Sequence, residues 1–269
     1  MHHQLDFQHP LPEHWHKTQI GAGEVIQSGS GLCLTIPQTQ ANTPQYHDAQ
    51  LTDYARRHDF VWRPPLHMEV VARYTVSNIT AQPLPLVGTA GFGFWNHPYG
   101  FKGERLPRLP KAVWFFFSAP PSNMQLARAV AGPGWKAATI DTTRWQFRTL
   151  APTAPVGMLL MRFPAFYRRL WPIGQQAIGV SEYLLDSNLL MERHTYSLDW
   201  QSNRVRFSVD GVTIHEAQVA IKGPMGFIAW IDNQYAVVTP QGQLGFGLVD
   251  VPQTQSLILE KVEIQSEKE

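Results

Sequence analysis

Residues 194–216 read HTYSLDWQSNRVRFSVDGVTIHE, and this stretch decides the fold. Tyr196, Leu198 and Trp200 alternate with Thr195, Ser197 and Asp199, the period of two that sends successive side chains to opposite faces of a half-buried strand. Val205, Phe207 and Val209 repeat the pattern against Arg206 and Ser208. Asp210-Gly211 then supplies the backbone freedom of a two-residue hairpin turn, and residues 212–215 run back. Two strands and the start of a third therefore follow one another with little between them.

Working outward, the same periodicity recurs along most of the chain. Residues 23–36 predict two short strands around Ser28-Gly29-Ser30-Gly31, with Ser30 in the turn, and a polar loop fills 37–50 before a short strand at 51–54. His67, Glu69, Val71, Arg73 and Thr75 alternate with Met68, Val70, Ala72, Tyr74 and Val76 in a strand that ends near Asn78. A Gly- and Phe-rich strand at 87–95 ends in Asn96-His97-Pro98, and Gly91 and Gly93 in it allow close approach of a backbone or ligand, or mark a bulge. A basic loop containing Glu104 spans 99–111. The run AVWFFFS (112–118) is apolar enough to require cover on both faces. Short strands are expected at 135–140 and 145–149, and further strands at 225–238, 243–249 and 256–265.

The middle breaks this rhythm. Residues 155–190 read as two or three short helices separated at Pro164 and Pro172, because proline fits a first helical turn but not an interior. This is a helical insertion into a β framework. It either packs on the sandwich, closes a cleft as a lid, or presents a surface on which Arg162, Arg168 and Arg169 flank apolar anchors; three arginines alone carry no membrane argument.

Composition narrows the function classes. A net charge of +1 over 269 residues gives no electrostatic case for nucleic acid or an acidic membrane surface. The 9 Trp and 14 Phe suit sheets with large side chains on their inner faces. The single Cys33 excludes an internal disulfide and reads as a buried thiol. No apolar run follows Met1, so neither a secretory signal nor a membrane span is expected, and a cytoplasmic location is the default. His2, His3, His9, His14 and His16 crowd the first twenty residues; they read as a solvated arm, and the His14-x-His16 pair lacks the partners of a metal site. No phosphate loop or nucleophile elbow occurs, and no cofactor is expected.

A dozen or so strands with one helical insertion predict an all-β, two-sheet antiparallel jelly-roll sandwich, a single domain over 1–269 with an N-terminal arm at 1–20. The hairpin sharpens this. His194-x-Tyr196-x-x-x-Trp200, a strand, Asp210-Gly211 and Ile214-His215-Glu216 resemble the same segment of laminarinase-type, family-16 glycoside hydrolases, closely over 194–216 and loosely over 20–265. The resemblance implies the concanavalin A-like fold, with the hairpin packing the two sheets together. Those hydrolases carry paired carboxylates at alternate positions of one strand, because a nucleophile and a general acid about 5 Å apart must reach one cleft face. The corresponding strand here, VWFFFS at 113–118, has no acid. Glu260 and Glu263 miss the period, and Asp48 and Asp53 lie in loop-like surroundings. The resemblance therefore implies the scaffold without the family's catalytic residues.

Candidate sites follow from chemistry alone. Trp114 and Phe116 share a strand face and either floor a cleft with rings or fill the core. Trp230, Asp232, Asn233 and Gln234 place a ring beside polar groups that need partners if buried, unless they mark a strand end open to water. Trp95 and Asn96 repeat the composition on a neighbouring strand. His194 reads as a structural histidine or a general base, Asp210 as a turn residue, and Asp141 as a cap or a lone acid near the cleft. The expected function is a non-catalytic sandwich holding a small-molecule or glycan ligand. The alternatives are an enzyme of another type using Asp232 or His194 on an apolar or ring-bearing molecule, and a partner module self-associating through 155–185.

Overall fold

The computed structural model describes residues 1–39, 45–77, 86–99 and 108–266. The chain opens with β1 (His2–Leu5), β2 (His16–Ile20), β3 (Glu24–Ser28), β4 (Gly31–Ile36), β5 (Asp48–Thr52) and β6 (Leu66–Val76). Next come β7 (Thr89–Trp95), β8 (Lys111–Ser118) and β9 (Gly134–Asp141). The helical segment holds α1 (Trp145–Leu150), α2 (Ala154–Leu160) and α3 (Pro164–Ala177). The chain then enters β10 (Ser181–Leu185), β11 (His194–Trp200), β12 (Val205–Val209) and β13 (Val212–Ala217). It finishes with β14 (Gly226–Asp232), β15 (Gln234–Val238), β16 (Leu244–Leu248) and β17 (Gln255–Ser266).

These strands build the expected two-sheet antiparallel sandwich. The back sheet runs β13-β12-β11-β6-β17-β4-β3, and the front sheet β10-β9-β8-β7-β14-β5-β2. A separate hairpin, β15-β16, leaves the front sheet after Asn233. Between the sheets the opening hairpin acts as expected. The Tyr196 ring lies 5.1 Å from Phe115 and 5.6 Å from Trp135, and Phe207 lies 5.4 Å from Phe115, centroid to centroid. Trp200 is fully buried and donates its indole N–H to the Ile221 carbonyl (3.0 Å), which meets the need of a buried polar tip for a partner.

Several expectations need correction. The first twenty residues are not a solvated arm: β1 pairs with β17, β2 pairs with β5, and Leu5, Phe7 and Trp15 lie in the core. Pairing explains it, because β4 covers only the first half of β17 (Gln255 to Leu259) and β1 covers residues 262–265 on the same edge. Cys33 is half-buried rather than enclosed. The helical segment starts earlier and ends earlier than 155–190: residues 145–150, expected as strand, are α1, while 181–185, expected as helix, are β10. The strand at 134–141 already pairs with β8 on one edge and β10 on the other, so no edge is left for 145–150. Pro172 sits inside α3 instead of ending it. The expected strand end near Asn78 and most of the 99–111 loop, with Glu104, lie outside the described residues.

Candidate functional site

The front sheet separates its side chains by the strand alternation. Phe92, Phe94, Val113, Phe115 and Trp135 point into the sandwich core. Trp95, Phe116 and Trp230, with Tyr54, Phe60 and Ile228, form a second apolar cluster on the outer face, and Trp114 packs against it. Trp114 lies 5.3 Å from Phe116 at an interplanar angle of 18°, and 5.2 Å from Trp230. The rings have room to meet because the strand between them carries glycine at two positions of this face. Gly91 of β7 is opposite Phe116 and Trp230, and Gly93 is opposite Trp114 and Ile228. A Cβ on Gly91 would come within 2.9 Å of Trp230 Cη2, and one on Gly93 within 2.7 Å of Trp114 Cβ. Gly93 also holds φ +147, a conformation that favours glycine. The close approach inferred for these glycines is thus to the β8 backbone, at the Phe115 and Val113 carbonyls, and next to the aromatic side chains. Gly93→Ala is expected to cost about 2–4 kcal/mol and to displace Trp114, read from urea denaturation and near-ultraviolet circular dichroism.

Above this floor is a cleft of about 720 Å³. Its lining includes Trp95, Trp114, Phe116, Trp230, Asp48, Asp232 and Gln234, with Tyr235 and Phe246 of the β15-β16 hairpin closing one side. Asp48 and Asp232 occupy directly opposed positions of neighbouring antiparallel strands, β5 and β14. Directly opposed residues send their side chains to the same face with Cβ atoms about 4.5–5.5 Å apart. The loop-like surroundings expected for Asp48 are therefore wrong; it starts a strand and faces a second carboxyl group.

The two acids have different partners. Asp232 Oδ1 accepts the Thr89 hydroxyl (2.8 Å), the Gln234 N–H (3.0 Å) and the Thr89 N–H (3.3 Å). The Thr89 hydroxyl in turn accepts the Trp230 indole N–H (3.0 Å), tying the acid to the floor. With Oδ1 so engaged, a proton on Asp232 belongs on Oδ2. Asp48 is fully buried, accepts Gln50 Nε2 at Oδ2 (2.6 Å) and is hydrogen-bonded by the Tyr46 side chain, while its Oδ1 has no hydrogen-bond partner among the described residues. Burial, reinforced by the charge on Asp232, raises Asp48 to about 8. Burial raises Asp232 to about 7 against its three donors. The pair therefore keeps a proton through neutral pH, because two adjacent buried carboxylates resist ionising together.

Beyond the cleft, the outer face carries a buried ion pair and the helical segment. Beyond Phe116, Lys136 of β9 and Glu182 of β10 are buried as an ion pair (3.5 Å), and Glu182 also accepts the Ala127 N–H (2.9 Å). Ile140 of β9 packs against both the cleft cluster and a third cluster made with Trp171 and Met161 of the helical segment. The insertion thus packs on the sandwich beside the cleft, whose floor is β8, β7, β14 and β5.

A family model described as glycosyl hydrolases family 16 matches residues 173–227, the stretch that contains the opening hairpin. Among solved structures, a prokaryotic β-1,3-1,4-glucanase (lichenase) derived from a mouse hindgut metagenome is similar with a TM-score of 0.53 and 12% identity, covering 99% of this chain and 99% of that one. A family-16 endo-glucanase from Bacteroides ovatus is similar with a TM-score of 0.52 and 13% identity, covering 98% and 99%. LamA from Zobellia galactanivorans, solved with laminaritriose and laminaritetraose, gives 0.50 and 12%, covering 97% and 97%. No curated protein matches the sequence. The fold is that of the family-16 glycoside hydrolases.

On this family-16 sandwich, the candidate residues divide cleanly. Trp95, Trp114, Phe116, Trp230, Asp232 and Gln234 line one cleft. Asn96 and Asn233 do not. The Asn96 side chain bridges the Lys111 N–H and the Leu109 carbonyl, and Asn233 bridges the His47 N–H and the carbonyls of Gln45 and Val249. Both are clamps holding loops, with amide groups bonded to backbone outside the cleft. His194 donates or accepts at Asp210 (2.6 Å), whose other oxygen takes the Thr195 N–H, so the pair locks the hairpin turn. Asp210 has φ 48, the left-handed conformation of a turn. Asp141 caps its own turn through the Thr143 N–H (2.9 Å). Asp53 is buried beneath the cleft, accepting the Trp62 indole and the Phe227 N–H (2.7 Å). His14 stacks near His3 (4.7 Å), and the described residues contain no group of three metal-ligating side chains. The residues missed from sequence were Asp48, Tyr46 and Gln50; only the pairing of β5 with β14 could have found them.

Proposed function

We propose that the cleft binds a saccharide, with a sugar ring laid on Trp114 and its neighbours and hydroxyl groups bonded to Asp48, Asp232 and Gln234. One observation carries this reading: Asp48 is in the lining of an aromatic cleft, and its buried Oδ1 has no hydrogen-bond partner among the described residues. An unpaired buried carboxyl oxygen costs stability, and a ligand hydroxyl, which both donates and accepts, would supply the missing partner. The near-parallel Trp114 and Phe116 rings support it, since a sugar's apolar face stacks on such rings, and so does a fold shared with glucanases. The short groove favours a mono- or oligosaccharide end over the middle of a long polymer.

Calorimetric titration, guided by a glycan array, tests the proposal. A saccharide ligand is expected, with affinity reduced about 10- to 100-fold by Trp114→Ala and by Asp48→Asn. Absence of any sugar binding, or undiminished binding in both variants, would sink it.

The acid pair favours a second reading, hydrolysis within the same cleft. A carboxyl group that stays protonated near neutrality can act as general acid, and a neighbour that ionises first can act as base. Here Asp48 would donate and Asp232, already oriented by Thr89 and Gln234, would accept. Release of a new reducing end by the native protein, lost in both Asp48→Asn and Asp232→Asn, separates this reading from binding alone.

A further inference from the structure

We infer that the helical insertion docks this protein onto an anionic lipid bilayer surface. The inference is independent of the cleft. It rests on the exposed face of the three helices, where apolar and basic side chains alternate without the partners either would normally have.

Residues 142–181 contain five arginines and no Asp or Glu. Arg144 is occupied, donating to the Gln176 carbonyl (2.6 Å). Arg148, Arg162, Arg168 and Arg169 are exposed and form no ion pair among the described residues. A solvated cationic face would normally be interleaved with carboxylates or polar residues. Here it is interleaved with large apolar groups: Trp145 is 70% exposed, Phe163 62% and Leu159 57%, and Val156, Phe166 and Ile173 are also exposed. Helical spacing aligns them. On α2 Val156 and Leu159 are at i and i+3, on α3 Phe166, Arg169 and Ile173 are at i, i+3 and i+7, and Phe163 stands at the junction between the two helices.

Two features select a lipid surface over other partners. Unpaired arginines without a neighbouring acid complement a negatively charged partner, and they bring local positive charge to a chain whose net charge is only +1. A nucleic acid or acidic peptide would meet that charge but leave Trp145, Leu159 and Phe163 against polar groups, whereas the headgroup–acyl boundary takes both at once. Behind the face, an apolar cavity of about 370 Å³ lies between the helices and the front sheet. Met158 and Ile173 both line it and remain exposed, so it communicates with the same surface. No helix among the described residues is long and apolar enough to cross a membrane, and the contact envisaged is peripheral.

Co-sedimentation with vesicles tests the inference. The full chain is expected to bind phosphatidylcholine vesicles containing about 30% phosphatidylserine, to lose binding at high salt, and to ignore pure phosphatidylcholine. Two exposed double variants, Leu159→Ser with Phe163→Ser and Arg168→Glu with Arg169→Glu, should each weaken binding at least about 10-fold while leaving the melting temperature unchanged. Failure of the native protein to bind anionic vesicles overturns the inference. So does loss of binding in the arginine variant alone, which would assign the face to a purely electrostatic partner. A concentration-dependent dimer in sedimentation velocity, abolished by the serine variant and unaccompanied by vesicle binding, would give the face to a second copy of the chain.

Discussion

Glu182→Leu is expected to destabilise the protein by about 3–5 kcal/mol, while the double variant Lys136→Met with Glu182→Leu should return close to the native value. Lys136 is fully buried, with its ammonium 3.5 Å from Glu182 Oε1 and 3.5 Å from the Met124 carbonyl. Burial lowers the lysine and raises the glutamate, and each opposes that shift in the other. Removing the carboxylate alone strands a cation in an apolar layer; removing both groups leaves nothing to solvate. Urea denaturation at pH 7 measures the difference. A mild single variant would mean that water reaches Lys136, and that the groove extends over β9 and β10 instead of ending at Phe116. The stability measurement thus reports directly on the length of the proposed binding site.

Asp48→Asn should make the protein more stable above neutral pH and at the same time a poorer ligand binder. The sign follows from linkage. Asp48 is held near 8 in the folded state against an ordinary value of 3.8, and Asp232 near 7. At pH 3 both states are protonated and neither group costs anything. As pH rises above about 4 the unfolded chain releases protons that the folded chain retains, so stability declines until the folded groups titrate near 7 and 8. Above that the full cost is present, and Asp48→Asn should recover about 3 kcal/mol at pH 9. Melting temperatures at pH 4, 7 and 9 for both proteins measure it. Asp53 is the control. It is also buried and raised to about 7, but both its oxygens are used by Trp62 and Phe227. Asp53→Asn should therefore gain less or lose stability. A carboxyl group in a cleft lining that costs stability and has an oxygen without a hydrogen-bond partner among the described residues is the signature of a functional acid. If Asp48→Asn were destabilising at pH 9, Asp48 would be a structural group and the saccharide proposal would lose its main support.

Legibility in the sequence tracked how local each interaction is. The hairpin could be read directly because alternation, turn residues and strand length all lie within residues 194–216. The aromatic candidates Trp114 and Trp230 were readable as strand residues, but which face was open was not, since both faces of β8 and β14 are apolar. Asp48 was overlooked because its partner, Asp232, is far away in the chain and meets it only through the β5–β14 ladder. Asn96 and Asn233 looked like site residues for a sound reason, as buried amides need partners. They found those partners in backbone groups of neighbouring loops instead of in the cleft.

Residues 145–150 and 181–185 show the same limit from the other side. Both segments mix apolar and polar residues without a strong period, and their state was set by whether a sheet edge was available. The edge of β9 went to β10, and 145–150 coiled into α1.

The sequence by itself determined a β-sandwich of the family-16 kind, because the period-two pattern and the Asp210-Gly211 turn act between near neighbours. It also determined that the strand VWFFFS at 113–118 carries no acid. Only the tertiary structure decided that two acids meet, from different strands and beside an aromatic cluster that Gly91 and Gly93 leave room for. The reason is that pairing between distant strands depends on the register of the whole sheet, and a change of one residue in that register would turn Asp48 away from the cleft.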